Sequence, residues 1–247
     1  MSQQLDKIRC ITHNVRGLNE SNLKIFINLI EKKEQDVIIL LETWHCMETI
    51  YVSHPTYVAS SPKGVRNGSR YNHGILVLRH PDIQRTVTYC SENYIRFTIF
   101  DVVITATYLQ PSLTDQDIEN ELRKPQLQAT DILVGDVNYL IYDCPARQRG
   151  QSQRVRNYCT NNFMNIIEAT EIPNLTSPQK LDHLYSRIPD VEWTYRNSIT
   201  ALDIVSDHSA MFITIPKKVI GDINIDEQTL RIPVIYLLSS DSDKKKT

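Results

Sequence analysis

Apolar and β-branched residues alternate with polar ones from Lys7 to Val15 (KIRCITHNV), which predicts a strand with one covered face. Ser21 is placed to cap a helix whose apolar positions Leu23, Phe26, Ile27 and Ile30 follow the 3.6-residue period. Asp36 to Glu42 (DVIILLE) is a continuous apolar run, as expected of a strand covered on both faces. A basic, turn-rich stretch from Lys63 to His73 precedes a further strand, Gly74 to Leu78. Two more strands are predicted at Ile95–Phe100 and Val102–Leu109, joined at Asp101. Thr114 caps a polar helix that Pro125 stops. Ile132–Val137 is a short buried strand, followed by an irregular stretch and a helix from about Ser152 to Ile167. Leu181–Ser186, Val191–Arg196 and Ala210–Ile215 complete the strands, and no internal repeat is visible.

The pattern weakens from Lys217. An acidic stretch, Asp222 to Glu227, an apolar run, Ile232 to Leu238, and the polar end Ser239 to Thr247 carry little periodicity. The expected organisation is a sheet-rich α/β domain over residues 1–216 with a partly disordered C-terminal extension, 217–247.

Composition narrows the class of protein. In 247 residues, 27 Lys and Arg against 29 Asp and Glu leave a net charge of −2, which excludes binding to nucleic acid by bulk charge. A local basic groove is still allowed. The five cysteines (Cys10, Cys46, Cys90, Cys144, Cys159) are scattered and show no CxxC pair, so neither a zinc site nor a disulfide framework is expected. The start MSQQLDKIRC has no apolar signal region, and runs such as Val37–Leu41 are too short to span a bilayer. An intracellular protein is expected.

Several predicted strands end in polar residues that a core would not select, Asn14, Glu42, Tyr108 and Asp136 with Asn138; Asp207 with His208 stands ahead of the last strand, and Asp182 adds a further carboxylate. Strand ends converge on one rim of an α/β sheet, where catalytic groups gather. Such carboxylates and amides suit a hard divalent ion, Mg²⁺ or Mn²⁺. His208 adds a group that titrates near neutrality. The chemistry implied is metal-assisted hydrolysis of a phosphate ester. Each residue also has a structural use. Asp136 with Asn138 suits an Asx-turn, and Tyr108 suits strand packing.

In this order HNVRGLN, ILLETW, ATYLQP, ILVGDVN, LDHLYS and SDHSA resemble the motifs of the endonuclease/exonuclease/phosphatase family over residues 7–216. The resemblance implies a DNase I-like four-layered α/β sandwich, two packed mixed sheets flanked by helices. DNase I-like nucleases, sphingomyelinases, inositol-phosphate 5-phosphatases and deadenylases resemble one another in placing His on the central strand. Tyr108 stands there in this chain. Tyr-Leu-Gln-Pro is similar, with one residue more, to the Tyr-x-Pro of exonuclease III-like AP endonucleases and of endonuclease domains in LINE-type (non-LTR) retrotransposons. Arg16 stands where AP endonucleases carry Asp, and NVRGL with LLETW is more similar to the retrotransposon group.

That resemblance implies a Mg²⁺-dependent endonuclease that nicks DNA to leave a 3′-hydroxyl and a 5′-phosphate. The alternatives are an AP endonuclease of base-excision repair and an inactive family member that serves as a binding module. By resemblance, Glu42, Asn14 and Asp207 hold the metal, Asp136 activates water and Asn138 holds Asp136. His208 contacts the phosphate with Asp182 behind it, and Tyr108 donates to a phosphate oxygen. Arg147, Arg149, Arg154 and Arg156 are candidates for backbone-phosphate contact, as are Lys63, Arg66 and Arg70. Tyr139 and Tyr142 are candidates to stack beside the cleft. The expected partner is DNA, with RNA left open, and the expected state is a monomer acting in the nucleus.

Overall fold

A computed structural model describes residues 7–44, 55–60, 66–67, 70–71, 73–124, 129–138, 146–162, 164–168, 181–196, 206 and 208–217. In chain order the elements are β1 (Lys7–Asn14), α1 (Glu20–Glu31), β2 (Val37–Leu41), β3 (Tyr57–Ser60), β4 (Arg66–Asn67) and β5 (Arg70–Tyr71). Then come β6 (Ile75–Arg79), β7 (Arg85–Cys90), β8 (Tyr94–Ile99), β9 (Val102–Tyr108), α2 (Asp115–Arg123) and β10 (Ile132–Asp136). The remainder are α3 (Ala146–Asn161), β11 (Asn165–Ile166), β12 (Asp182–Ser186), β13 (Glu192–Arg196) and β14 (Ala210–Pro216).

The strands form two six-stranded mixed sheets, ordered β13-β14-β1-β2-β6-β3 and β11-β12-β10-β9-β8-β7, plus a ribbon of β4 with β5. Each large sheet holds one parallel pair at its centre, β1 with β2 and β9 with β10. α1 lies between the first pair in sequence and α2 between the second, as a parallel crossover requires. Between the sheets, Ile8, Cys10, Val37, Ile39 and Leu41 share a core with Phe97, Ile104, Ala106, Ile132 and Val134. The outward residues of the first sheet, such as Ile11, Ile38 and Leu40, pack under Leu23, Phe26 and Ile30 of α1. On the other side Leu133 and Tyr185 pack under Ile118 and Leu122 of α2 and Val155 and Cys159 of α3. The result is the four-layered sandwich expected from the motifs. No helix among the described residues is long and apolar enough to cross a membrane.

Local chemistry moved several boundaries. α1 starts at Glu20 because Asn19, in extended conformation, accepts from Asn22 N at 2.8 Å. Asn19 is therefore the cap, and Ser21 lies in the first turn. Thr114 caps α2 with a reciprocal capping box to Asp117. α3 runs from Ala146 to Asn161 instead of Ser152 to Ile167. Its Arg- and Gln-rich first half carries no hydrophobic period, and Ile166 beyond it belongs to β11, which pairs with β12. β7 went unread because it is an edge strand with mostly exposed side chains. Residues 218–247 lie outside the described residues.

Gly135 is required by the β9–β10 pairing. It sits at φ +142°, and a Cβ there would lie 2.0 Å from the Thr107 carbonyl oxygen. Both the conformation and the close approach exclude a side chain. Gly135→Ala is expected to lower stability by at least about 2 kcal/mol, read as a drop in the urea midpoint with unchanged slope.

Candidate active site

Strand alternation delivers the polar residues to one place. On β1 the inward phase Ile8, Cys10 and Thr12 continues to Asn14; on β10, Ile132 and Val134 continue to Asp136. Ile104 and Ala106 of β9 lead in the same way to Tyr108, and Leu184 of β12 leads back to Asp182. Register then fixes neighbours, because Asp136 pairs with Tyr108 on one side and with Asp182 on the other. Glu42 follows β2 with a left-handed backbone, φ +48°.

One amide joins the two sheets. Asn14 Nδ2 donates to Glu42 Oε1 at 2.8 Å and to Asp136 Oδ2 at 2.9 Å, while Asn14 Oδ1 accepts from Arg16 N at 3.2 Å. Asp136 Oδ1 accepts from Asn138 N at 2.7 Å, and Asn138 Nδ2 donates to the Leu109 carbonyl at 2.7 Å. The Asx-turn considered for Asp136 is therefore real, and it is part of the site. His208 Nδ1 lies 2.9 Å from Asp182 Oδ2, and its Nε2 lies 3.9 Å from Asp136 Oδ2. The 2.9 Å contact suits a proton on Nδ1 shared with the Asp182 carboxylate. Ser206 Oγ donates to the Asn14 carbonyl at 2.6 Å and accepts from His208 N at 3.2 Å, which ties the approach to β14 onto β1.

Burial sets the electrostatics. Asn14, Asp136 and Asp182 are almost wholly shielded from solvent. Burial, and then the Asp182 charge, push the Asp136 carboxyl up to about 8, with His208 and the Asn138 and Asn14 donors pulling the other way. Burial and the Glu42 and Asp136 charges raise the Tyr108 phenol far above its usual range. His13, on the same strand as Asn14, is lowered to about 4, chiefly by burial.

The donor set fits a hard divalent cation. Asp136, Asp182 and His208 offer ligand atoms within 4.8 Å of one another. Asp182 Oδ1 is buried without a hydrogen-bond partner. Buried carboxyls crowded beside a single imidazole can ionise together only where a cation supplies the balance. Glu42 and Asn14 stand beside this cluster. Asp207, the third expected ligand, lies outside the described residues.

Where they are described, the expected basic residues sit on α3 and on the β4–β5 ribbon. All four arginines of the expected cluster fall on α3; Arg154 and Arg156 are exposed, and Arg154 Nη1 pairs with Glu119 Oε1 at 3.2 Å. Arg66 and Arg70 belong to the β4–β5 ribbon, whereas Lys63, Tyr139 and Tyr142 lie outside the described residues. A cavity of about 1000 Å³ lined by Arg79, Ile83, Arg85 and Phe100 opens at the opposite ends of the strands. It has none of this constellation. Two supports escaped the sequence reading: Trp44, whose indole donates to Glu42 Oε2 at 3.1 Å, and Tyr195, whose hydroxyl donates to the Asp182 carbonyl at 3.0 Å. Trp44 stands inside the LLETW motif, but nothing in that spacing marks an aromatic as a donor.

The Asp136 shift has a sign that stability can report. Folded, metal-free protein keeps the proton up to about pH 8, whereas an unfolded aspartate loses it near pH 4. Stability contributed by this group is therefore present at low pH and lost as pH rises across that window. Urea midpoints of the metal-free wild type are expected to fall from pH 5 to 8, and Asp136→Asn is expected to flatten the fall.

No protein-family model matches the sequence, and no curated protein does. Solved structures do match its fold. The endonuclease domain of TRAS1, a telomere-specific non-LTR retrotransposon, superposes with a TM-score of 0.61 at 13% identity, over 86% of this chain and 100% of that one. AP endonuclease LMAP from Leishmania major gives 0.60 at 14% identity, over 85% and 88%. A protein of the endonuclease/exonuclease/phosphatase family from Leptotrichia buccalis gives 0.54 at 17%, over 84% and 99%. Two packed mixed sheets between helical layers, with acidic and amide side chains meeting at one rim, give this chain the DNase I-like fold of the endonuclease/exonuclease/phosphatase family.

Proposed function

We propose that the chain is a divalent-metal-dependent phosphodiesterase, an endonuclease of retrotransposon type that nicks DNA to leave 3′-hydroxyl and 5′-phosphate ends. The observation that carries this reading is the Asn14 amide holding Glu42 and Asp136 together beside the Asp182–His208 pair. When bound by Glu42, Asn14 and Asp207, Mg²⁺ or Mn²⁺ supplies positive charge that offsets the scissile phosphate and favours the ionised Asp136 carboxyl. Asp136 then accepts a proton from the attacking water. Asn138 fixes the direction of that carboxylate through its backbone N–H. His208, held by Asp182, donates to a phosphate oxygen. Tyr108 stays protonated and donates to the same group. Exposed Arg156, and Arg147, Arg149 and Arg154 on the same helix, serve as outlying backbone-phosphate contacts in this reading.

An AP endonuclease is the second reading, favoured by the LMAP superposition, whose TM-score stands within 0.01 of that for TRAS1. Substrate choice separates the two. Purified protein with Mg²⁺ is expected to convert supercoiled plasmid to open circles, and Asp136→Ala and His208→Ala are each expected to cut at least about a hundredfold more slowly. Cleavage confined to abasic duplex would move the assignment to AP endonuclease, and cleavage of RNA alone would remove DNA as the substrate. No cleavage of any of these would leave a binding module. Independently of turnover, Mn²⁺ is expected to raise the melting temperature of the wild type at pH 8 and to raise that of Glu42→Gln much less.

A further inference from the structure

His73 belongs to none of the motifs and has no part in the mechanism above. It stands just before β6 and is buried, with only 9% of its surface exposed. Its ring lies against Tyr108, with centroids 5.5 Å apart and planes tilted by 48°. The backbone here is pinned. His73 has φ +72°, its carbonyl accepts from Trp44 N at 2.9 Å, and the next carbonyl, of Gly74, accepts from Thr43 N at 3.1 Å. Gly74 has φ +100°, and a Cβ there would meet Thr43 Oγ1 at 2.4 Å, so only glycine fits between His73 and β6. The ring is thus set by the same two residues that follow Glu42. Its Nδ1 is buried without a hydrogen-bond partner, so no bond at that atom accounts for its placement. A left-handed non-glycine residue and a buried orphan nitrogen both cost stability, and such costs gather at functional sites.

We propose that His73 is a positioning residue for Tyr108: its imidazole is a fixed wall that holds the phenol ring in place at the end of β9, beside Asp136. The inference rests on the phosphodiesterase reading for its catalytic consequence. Burial keeps the ring neutral by lowering its pKa, which suits a wall against an aromatic face. Without the wall, the phenol can rotate away from the position it needs at the phosphate, and small misplacements of a donor are costly in rate.

The test joins kinetics to a direct view of the tyrosine. His73→Ala is expected to lower kcat roughly tenfold or more while KM stays within about twofold, and His73→Phe is expected to restore most of the rate. In a Tyr108→Phe background, His73→Ala is expected to add almost nothing, because both changes act through one side chain. NMR of protein with ¹³C-labelled tyrosine rings, with the Tyr108 signal assigned by its loss in Tyr108→Phe, is expected to show that signal shifted and averaged in His73→Ala. In His73→Phe it is expected to stay close to wild type. Multiplying losses in the double variant, a raised KM at unchanged kcat, or a His73→Phe as slow as His73→Ala would each overturn the proposal. So would a Tyr108 signal unmoved by His73→Ala. If the wild type cleaves no phosphodiester, the proposed function fails, and the ring signal still decides the placement of Tyr108.

Discussion

The site depends on one side-chain amide. Asn14 reaches from the end of β1 to Glu42 in its own sheet and to Asp136 in the facing one. Nothing else among the described contacts ties carboxylates of both sheets to a single group. Two acidic groups drawn to one amide in a buried place repel each other and lose water. Their approach is stabilised by donors and by the apolar packing behind them, not by favourable charge. The inter-sheet core of Ile8, Val37, Ile104 and Ile132 is therefore more than scaffolding. It holds two strand ends at the separation that the amide spans.

Topology explains why these ends meet. Each sheet has a single parallel pair, and the carboxyl ends of β1, β2, β9 and β10 carry Asn14, Glu42, Tyr108 and Asp136. A two-residue period does the rest. Residues that continue an inward phase past the last apolar position stay directed between the sheets, where water is scarce and hydrogen bonds are strong. The price is a raised proton affinity at Asp136, which a hard cation is suited to relieve.

Much of this was legible in the sequence because buried strands write themselves as aliphatic runs, and a polar residue closing such a run has few structural reasons to be there. Asn14, Glu42, Tyr108, Asp136, Asn138, Asp182 and His208 were found by that contrast, and the structure brings them together. Edge strand β7 and the arginine-rich start of α3 left no hydrophobic period to follow. Asn19 displaced Ser21 as a cap through geometry that composition does not encode. Trp44, Tyr195 and His73 act through contacts between residues far apart in sequence or through unusual backbone angles, and neither leaves a spacing to detect. The assignment of Asp207 as a ligand depends on a residue outside the described structure.

Five of the left-handed residues share a location, while Lys33, Phe100, Asp101 and Asp190 lie elsewhere. Arg16, Glu42, Trp44, His73 and Asn138 all adopt positive φ at or beside the same rim, just past the ends of regular strands. Each is a place where the chain leaves one strand direction and is immediately caught by a hydrogen bond from a neighbour. A rim assembled from such corners has little freedom to adjust to what it holds. It works as a mould rather than a hinge, and differences in what such a protein accepts must then arise in the segments that extend beyond the mould, not in the mould itself.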